Sequence, residues 1–287
     1  DGKCVADPLI MRRALEYVKT FNGVIAQHAQ EPRLTINAQM NEGSVSARIG
    51  LPGWPAIAEE AIIARDILLA EHVQSRLHIC HVTTAGGVEL IRWAKQRGIQ
   101  VTAEVTPHHL LLTDELVENY DPIYKVNPPL RTEKDVWALR EGLAEGVIDI
   151  VATDHAPHPA EDKDCEWQAA AFGMVGLETA LSVVIKTMIE SKLMGWKELV
   201  DRMSIKPAQI AGYKTQGQSI ALSSVANLIL VDPVATWQVE RSKLHSKSRN
   251  TPFHGMELPG LISDVIYNGA QSMIASKVVK VASGSNE

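Results

Sequence analysis

The chain is short of cysteines, of clustered basic residues and of long apolar runs, and each shortage removes a class of protein. Its three cysteines, Cys4, Cys80 and Cys165, stand far apart and outside any C-x-x-C spacing. That usage fits a reducing compartment and packing roles, not a disulfide scaffold. No apolar run approaches the roughly 18 to 20 residues that cross a bilayer, and the opening DGKCVADP lacks the charged-then-apolar order of a signal peptide. A cytoplasmic protein with no membrane partner is expected. Lys and Arg are thinly spread under a formal net charge of -6, so no basic stripe can neutralise a phosphate backbone and no nucleic-acid partner is expected.

What is present is an ordinary globular balance, 45% hydrophobic and 22% charged over 287 residues. That length suits one large domain, or a large one with a small one. From Asp7 to about Gly146 short apolar runs alternate with segments of helical period, the pattern of βα units on a parallel sheet. Helices are expected over Pro8 to Phe21, Pro55 to Val73, Thr84 to Arg97 and Thr132 to Leu143. The intervening strands are VIAQHA, RLHICHV, VTAEVT and DIVATDHA. Each is nearly continuous in apolar residues, as a strand buried on both faces requires. Leu177 to Leu193 and Trp196 to Met203 read as helices. Beyond Lys214 short β-branched runs such as ANLILVD and SDVIYNG suggest a small β module. The expected division is residues 1–213 for the βα part and 214–287 for the β part. A closed (β/α)8 barrel takes roughly 250 residues, and only four βα units precede the β tail, so the amino-terminal half of a TIM-type barrel is expected to be missing.

In parallel barrels the working residues sit at the carboxyl ends of strands, where the βα loops form the mouth. VIAQH ends in His28, HICH ends in His81, and VATDH places Asp154 before His155. Imidazole and carboxylate are both zinc ligands. A single histidine at a strand end is more often a satisfied core residue; ligand types at three strand ends argue for a metal. Strand alternation puts Leu77, Ile79 and His81 on one face and His78 and Cys80 on the other. If His81 points inward, Cys80 is expected under the helices. A bound divalent ion lowers the pKa of its water to roughly 7 and supplies hydroxide; Asp154 could both hold metal and pass the proton from water to a leaving nitrogen. His158, in DHAPH, is expected to leave its ring free for a substrate. Asn127, stiffened by Pro128 and Pro129, can donate and accept hydrogen bonds. AFGMVG offers backbone amides where glycine permits close approach. His108 and His109 read as structural.

Taken in order, AQHAQEP, HICHVTT, VTAEVTPHHLLL, YKVNPPLR and VATDHAPH closely resemble the later motifs of the dihydroorotase family of cyclic amidohydrolases, over nearly the whole chain and more weakly after about Tyr213. The resemblance implies a metal-dependent (β/α)8 barrel with a small β domain that interconverts N-carbamoyl-L-aspartate and L-dihydroorotate in pyrimidine biosynthesis. It implies two Zn2+ ions in the complete enzyme, with Asp1, His28, His81 and Asp154 as metal ligands and Asp154 as the catalytic acid/base. Asn127, His158, Phe172 and Gly173 match substrate-binding positions. The family's H-x-H-x-R motif is absent, so this chain alone is expected to be inactive. Ala171 stands where the family often has proline, with little effect expected from a backbone contact. A homo-oligomer is expected. Two other readings remain: a non-catalytic scaffold for aspartate transcarbamoylase, and a hydantoinase- or allantoinase-type enzyme. The latter relatives usually bridge their metals through a carboxylated lysine.

Overall fold

The computed structural model describes residues 2–279. Helix α1 (Pro8–Lys19) starts where Asp7 accepts from the amides of Leu9 and Ile10, with proline at the first helical position, and it buries Met11 and Leu15. Strand β1 (Val24–Gln27) follows. The chain then makes an excursion through β2 (Met40–Asn41), α2 (Ser44–Ile49) and β3 (Gly53–Trp54), with β2 and β3 paired in parallel. This excursion was not foreseen from the sequence. Helix α3 (Ile57–Val73), strand β4 (Arg76–Ile79), helix α4 (Ala85–Gln96) and strand β5 (Val101–Val105) come next. Helix α5 (Glu133–Glu145) is closed at its start by a Thr132–Asp135 capping box and at its end by left-handed Gly146, and β6 (Ile150–Val151) completes the set.

The four long-range strands form one parallel sheet in the order β1-β4-β5-β6. The helix-facing side is apolar. Leu77, Ile79, Val101, Ala103 and Val105 join Met11, Leu15, Ile62, Ile63, Ile67, Ile91, Leu139 and Leu143 in one core, each large aliphatic side chain contributing about 1.5–3 kcal/mol by burial. The other side of the same strands carries His78, Cys80, Thr102 and Glu104. His78 meets Thr102 Oγ1 at 2.8 Å and Glu104 Oε2 at 3.0 Å. The expectation for Cys80 is therefore corrected: Leu77 and Ile79 pack under the helices and Cys80 lies on the polar face. The alternation fails at its last residue, because His81 has φ +33 and turns out of the strand register.

Arg131 ties the excursion to the sheet. Fully buried, it donates to Thr83 Oγ1 (3.1 Å), Asn41 Oδ1 (2.9 Å) and the Trp54 carbonyl (2.7 Å). Glu59, also buried, accepts from the amides of Thr83 and Thr84 and from the Thr83 hydroxyl. A guanidinium costs much to bury, and three hydrogen bonds with nearby carboxylates offset that cost.

Downstream, α6 (Ala180–Val184) runs into a π-helical turn at Ile185–Ile189. Helix α7 (Trp196–Val200), a second π turn (Asp201–Ile205) and α8 (Lys206–Ala211) are continuous, so this helical segment runs past the expected stop at Met203. The last strands, β7 (Leu228–Gln238), β8 (Glu257–Tyr267), β9 (Ala270–Ile274) and β10 (Lys277–Val278), form an antiparallel sheet. It is joined to α6 by Ser182 Oγ, which donates to the Gly260 carbonyl and accepts from Trp237 Nε1. Among the described residues no helix is long and apolar enough to cross a membrane.

Candidate metal centre

The end of β1 and the end of β4 bring two imidazoles together. His28 Nδ1 lies 2.9 Å from His81 Nε2, the rings meeting edge to face with centroids 4.7 Å apart. Two nitrogens bound at 2.0–2.1 Å in a tetrahedral shell lie about 3.3 Å apart, so the pair is a few tenths of an ångström from a ligating geometry. The remaining nitrogen of His28, Nε2, meets Gln30 Oε1 at 2.7 Å. Because that oxygen can only accept, the proton belongs on Nε2 and the lone pair on Nδ1, facing His81. Burial, reinforced by His81, holds the His28 pKa down to about 4, so the ring is neutral near pH 7. The donor set therefore fits a divalent ion that prefers nitrogen and oxygen.

Asp154 follows β6 with φ +44, the same left-handed excursion as His81. Burial raises its carboxyl above the ordinary range; His81 opposes the rise and Glu104 adds to it. A second group, which sequence reasoning missed as chemistry, lies on the polar face of the sheet. His78, Cys80 and Glu104 each offer a ligand atom, all within 4.8 Å of one another. Burial first, then Glu104 and Asp154, push the Cys80 thiol up to about 12. The signal for Glu104 was a carboxylate inside a parallel strand otherwise apolar on one face.

The expected substrate contacts line the adjoining loops. Asn127 precedes a cis peptide bond to Pro128 and donates from Nδ2 to Gln30 Oε1 at 3.4 Å; its Oδ1 is buried without a hydrogen-bond partner among the described residues. A buried acceptor left open is what a ligand donor would complete. His158 is not free as expected: its Nε2 meets the Phe172 carbonyl at 2.9 Å. The Gly173 amide donates to the Lys125 carbonyl at 2.9 Å, and the Phe172 ring lies 4.5 Å beneath Lys125 Nζ. Gly173 has φ +135, and a Cβ there would come within 2.8 Å of His158 Nε2, which explains the glycine. Ala171 is held through its backbone, its carbonyl accepting from Lys163 Nζ. His109 is structural, bonded to Thr106 Oγ1 and the Pro128 carbonyl, while His108 is buried with its Nε2 unpartnered among the described residues. Asp1 lies outside the described residues. The structure brings His28, His81 and Asn127 together through Gln30, and it links His158, Phe172 and Gly173.

The family model described as Amidohydrolase family matches residues 11–271. This chain belongs to the amidohydrolase family. Among curated members it is 66% identical over 278 residues to a dihydroorotase of Streptomyces coelicolor, covering 97% of this chain and 65% of that protein. It is 53% identical over 269 residues to a dihydroorotase of Mycobacterium tuberculosis, covering 94% of this chain and 63% of that protein. The chain thus spans slightly less than two thirds of the length of these relatives. Among solved structures, an L-hydantoinase (dihydropyrimidinase) from Arthrobacter aurescens superposes with TM-score 0.85 at 27% identity, over 96% of this chain and 62% of that one. A D-hydantoinase from Thermus sp. superposes equally well at 22% identity, over 95% and 62%, a likeness of fold alone. The chain has the TIM-barrel-type fold of metal-dependent hydrolases with an appended β domain.

Proposed function

We propose that this chain carries the metal-binding and proton-transferring part of a dihydroorotase, which interconverts L-dihydroorotate and N-carbamoyl-L-aspartate. The observation that carries the reading is the facing pair His28 Nδ1 and His81 Nε2, set at adjacent strand ends in a chain 66% identical to a dihydroorotase. On this reading the four parallel strands belong to a larger (β/α)8 barrel, with residues 1–213 in the barrel part and 214–287 in the β domain.

His28, His81 and Asp154 would hold zinc, with Asp1 bridging the two ions of the complete enzyme. Zinc held there would supply hydroxide at neutral pH and Lewis-acid polarisation of the carbonyl. The remaining chemistry falls to the chain. Asp154 takes the proton of the attacking water and delivers it to the ring nitrogen as the amide bond breaks; in the reverse direction it removes that proton. Asn127 would offer its open Oδ1 to the substrate, and His158 and the Phe172-Gly173 backbone would supply further contacts to it. Such positioned hydrogen bonds would hold the amide so that one face of its carbonyl is open to the nucleophile. A cytoplasmic location and a homo-oligomer accompany the proposal.

The test is ring opening of dihydroorotate by the full reading frame, with and without chelator, beside Asp154→Asn and hydantoin and allantoin controls. Loss of dihydroorotate turnover on chelation and in the variant is expected, the latter by about 100-fold or more. Opening of hydantoin alone would replace the substrate assignment. Bound zinc with no turnover would leave a scaffold for aspartate transcarbamoylase, a reading the retained His28, His81 and Asp154 disfavour.

A further inference from the structure

Gln30 stands three residues past the end of β1, just before the excursion, inside the AQHAQEP motif, and no role has been assigned to it so far. Its side chain is half-buried and used at both ends. The carbonyl oxygen receives His28 Nε2 at 2.7 Å and Asn127 Nδ2 at 3.4 Å. The amide nitrogen donates to Thr35 Oγ1 at 2.8 Å, and the hydroxyl of Thr35, itself buried, donates to the Glu31 carbonyl at 3.3 Å. The orientation of the amide is thereby determined. Thr35 Oγ1, whose own hydrogen is given to the Glu31 carbonyl, can only accept from Gln30, so Nε2 faces Thr35 and Oε1 faces His28 and Asn127.

We infer that Gln30 is a positioning residue that fixes the His28 tautomer for metal binding and couples that metal ligand to Asn127, 97 residues further along the chain. The inference rests on reading His28 as a metal ligand; it does not depend on which cyclic amide the enzyme opens. Its physical basis is the shared oxygen. One acceptor serving two donors holds the imidazole and the carboxamide in a single arrangement, so a change at either donor alters the hydrogen bond available to the other. Asn127 Oδ1 remains the open end of the chain, turned from the ligand His28 toward whatever donor a bound molecule provides.

The experiment measures Zn2+ affinity of the full reading frame by competition with a chromophoric chelator, in wild type, Gln30→Leu, Gln30→Glu, Asn127→Ala and the Gln30→Leu/Asn127→Ala pair. Melting of the metal-free forms is followed in parallel. Gln30→Leu removes the acceptor, and an affinity loss of about 10–100-fold is expected. Gln30→Glu keeps the acceptor with a charge and is expected to bind at least as tightly as wild type, an ordering that damage to packing would not produce. Asn127→Ala is expected to change affinity by about two- to tenfold when Gln30 is present and not in the Gln30→Leu background, the mark of an interaction rather than two independent effects. Wild-type affinity in Gln30→Leu, equal losses in the Leu and Glu variants, or additive effects of Gln30 and Asn127 would each overturn the inference. His28→Ala separates the two levels. If it leaves Zn2+ affinity unchanged, His28 is not a ligand and the underlying reading falls; if it weakens binding while Gln30→Leu does not, only the role of Gln30 falls.

Discussion

Asn250, from the segment before β8, donates through Nδ2 to the carbonyl oxygen of Ala156 at 2.8 Å. The same amide reaches the Gly173 carbonyl at 3.2 Å, its oxygen accepts from the His158 amide at 3.3 Å, and its own backbone carbonyl accepts from Val175. One buried side chain thus clamps the Asp154–His158 loop to the Phe172–Gly176 loop.

Asn250→Ala is expected to leave the Ala156 and Gly173 carbonyls short of a donor and to destabilise the protein by about 1–3 kcal/mol. Urea unfolding measures the loss, and crystallographic or NMR comparison should show His158 displaced. An unchanged midpoint would mean that water replaces the amide at no cost.

Lys163 offers a pH test. Its ammonium is buried against the Lys125 and Ala171 carbonyls, and desolvation, with Lys125 adding to it, lowers its pKa from 10.5 to about 8. Below pH 8 the folded protein carries the full cost of a buried charge. Between about 8 and 10.5 the folded state is neutral while the unfolded state still binds a proton, so the Lys163 contribution to stability improves with pH, by at most about 1.4 kcal/mol per pH unit. Wild type should therefore gain on Lys163→Met between pH 7 and about pH 9.5. A constant difference between their melts would contradict the assignment.

Arg131→Met tests the pin of the excursion. It removes three hydrogen bonds, leaving Asn41 Oδ1 without its donor and the Trp54 carbonyl with only the Glu42 amide. A destabilisation of about 3–5 kcal/mol is expected, the scale seen when a buried charge partner is deleted. Faster proteolysis within residues 32–55 than elsewhere would localise the effect.

Metal should act on the fold as well as on chemistry. Saturating the chain with Zn2+ at about 100 times its dissociation constant adds roughly 2.7 kcal/mol to stability. A higher melting temperature is expected with zinc, with less of a rise in His28→Ala and His81→Ala. Identical shifts in all three would place the ion elsewhere.

The βα rhythm was legible because strands buried on both faces read as apolar runs between segments of helical period. The excursion over residues 32–55 was not, since two-residue strands leave no periodic trace. What holds it is Arg131, a charge whose burial no local pattern announces. Likewise His28 and His81 could be found from their positions at strand ends, whereas Gln30 and Asn250 could not. Gln30 couples His28 to Asn127, and Asn250 holds Ala156 and Gly173; only folding brings Asn127, Ala156 and Gly173 within 3.5 Å of them. The orientation of Cys80 was misread because strict alternation was carried through His81, where the backbone leaves the strand.

That departure has a consequence for how this protein can change. His81 and Asp154 both adopt left-handed backbone angles that L-residues avoid, at a cost of order 1–3 kcal/mol each. Glycine would relieve the cost at either position and would delete the side chain for which the turn is made. Selection for thermal robustness and selection for the site therefore pull in opposite directions at these two residues. A library sorted on folding alone should enrich glycine there, and the sheet beneath must supply the stability that its own two ends give up.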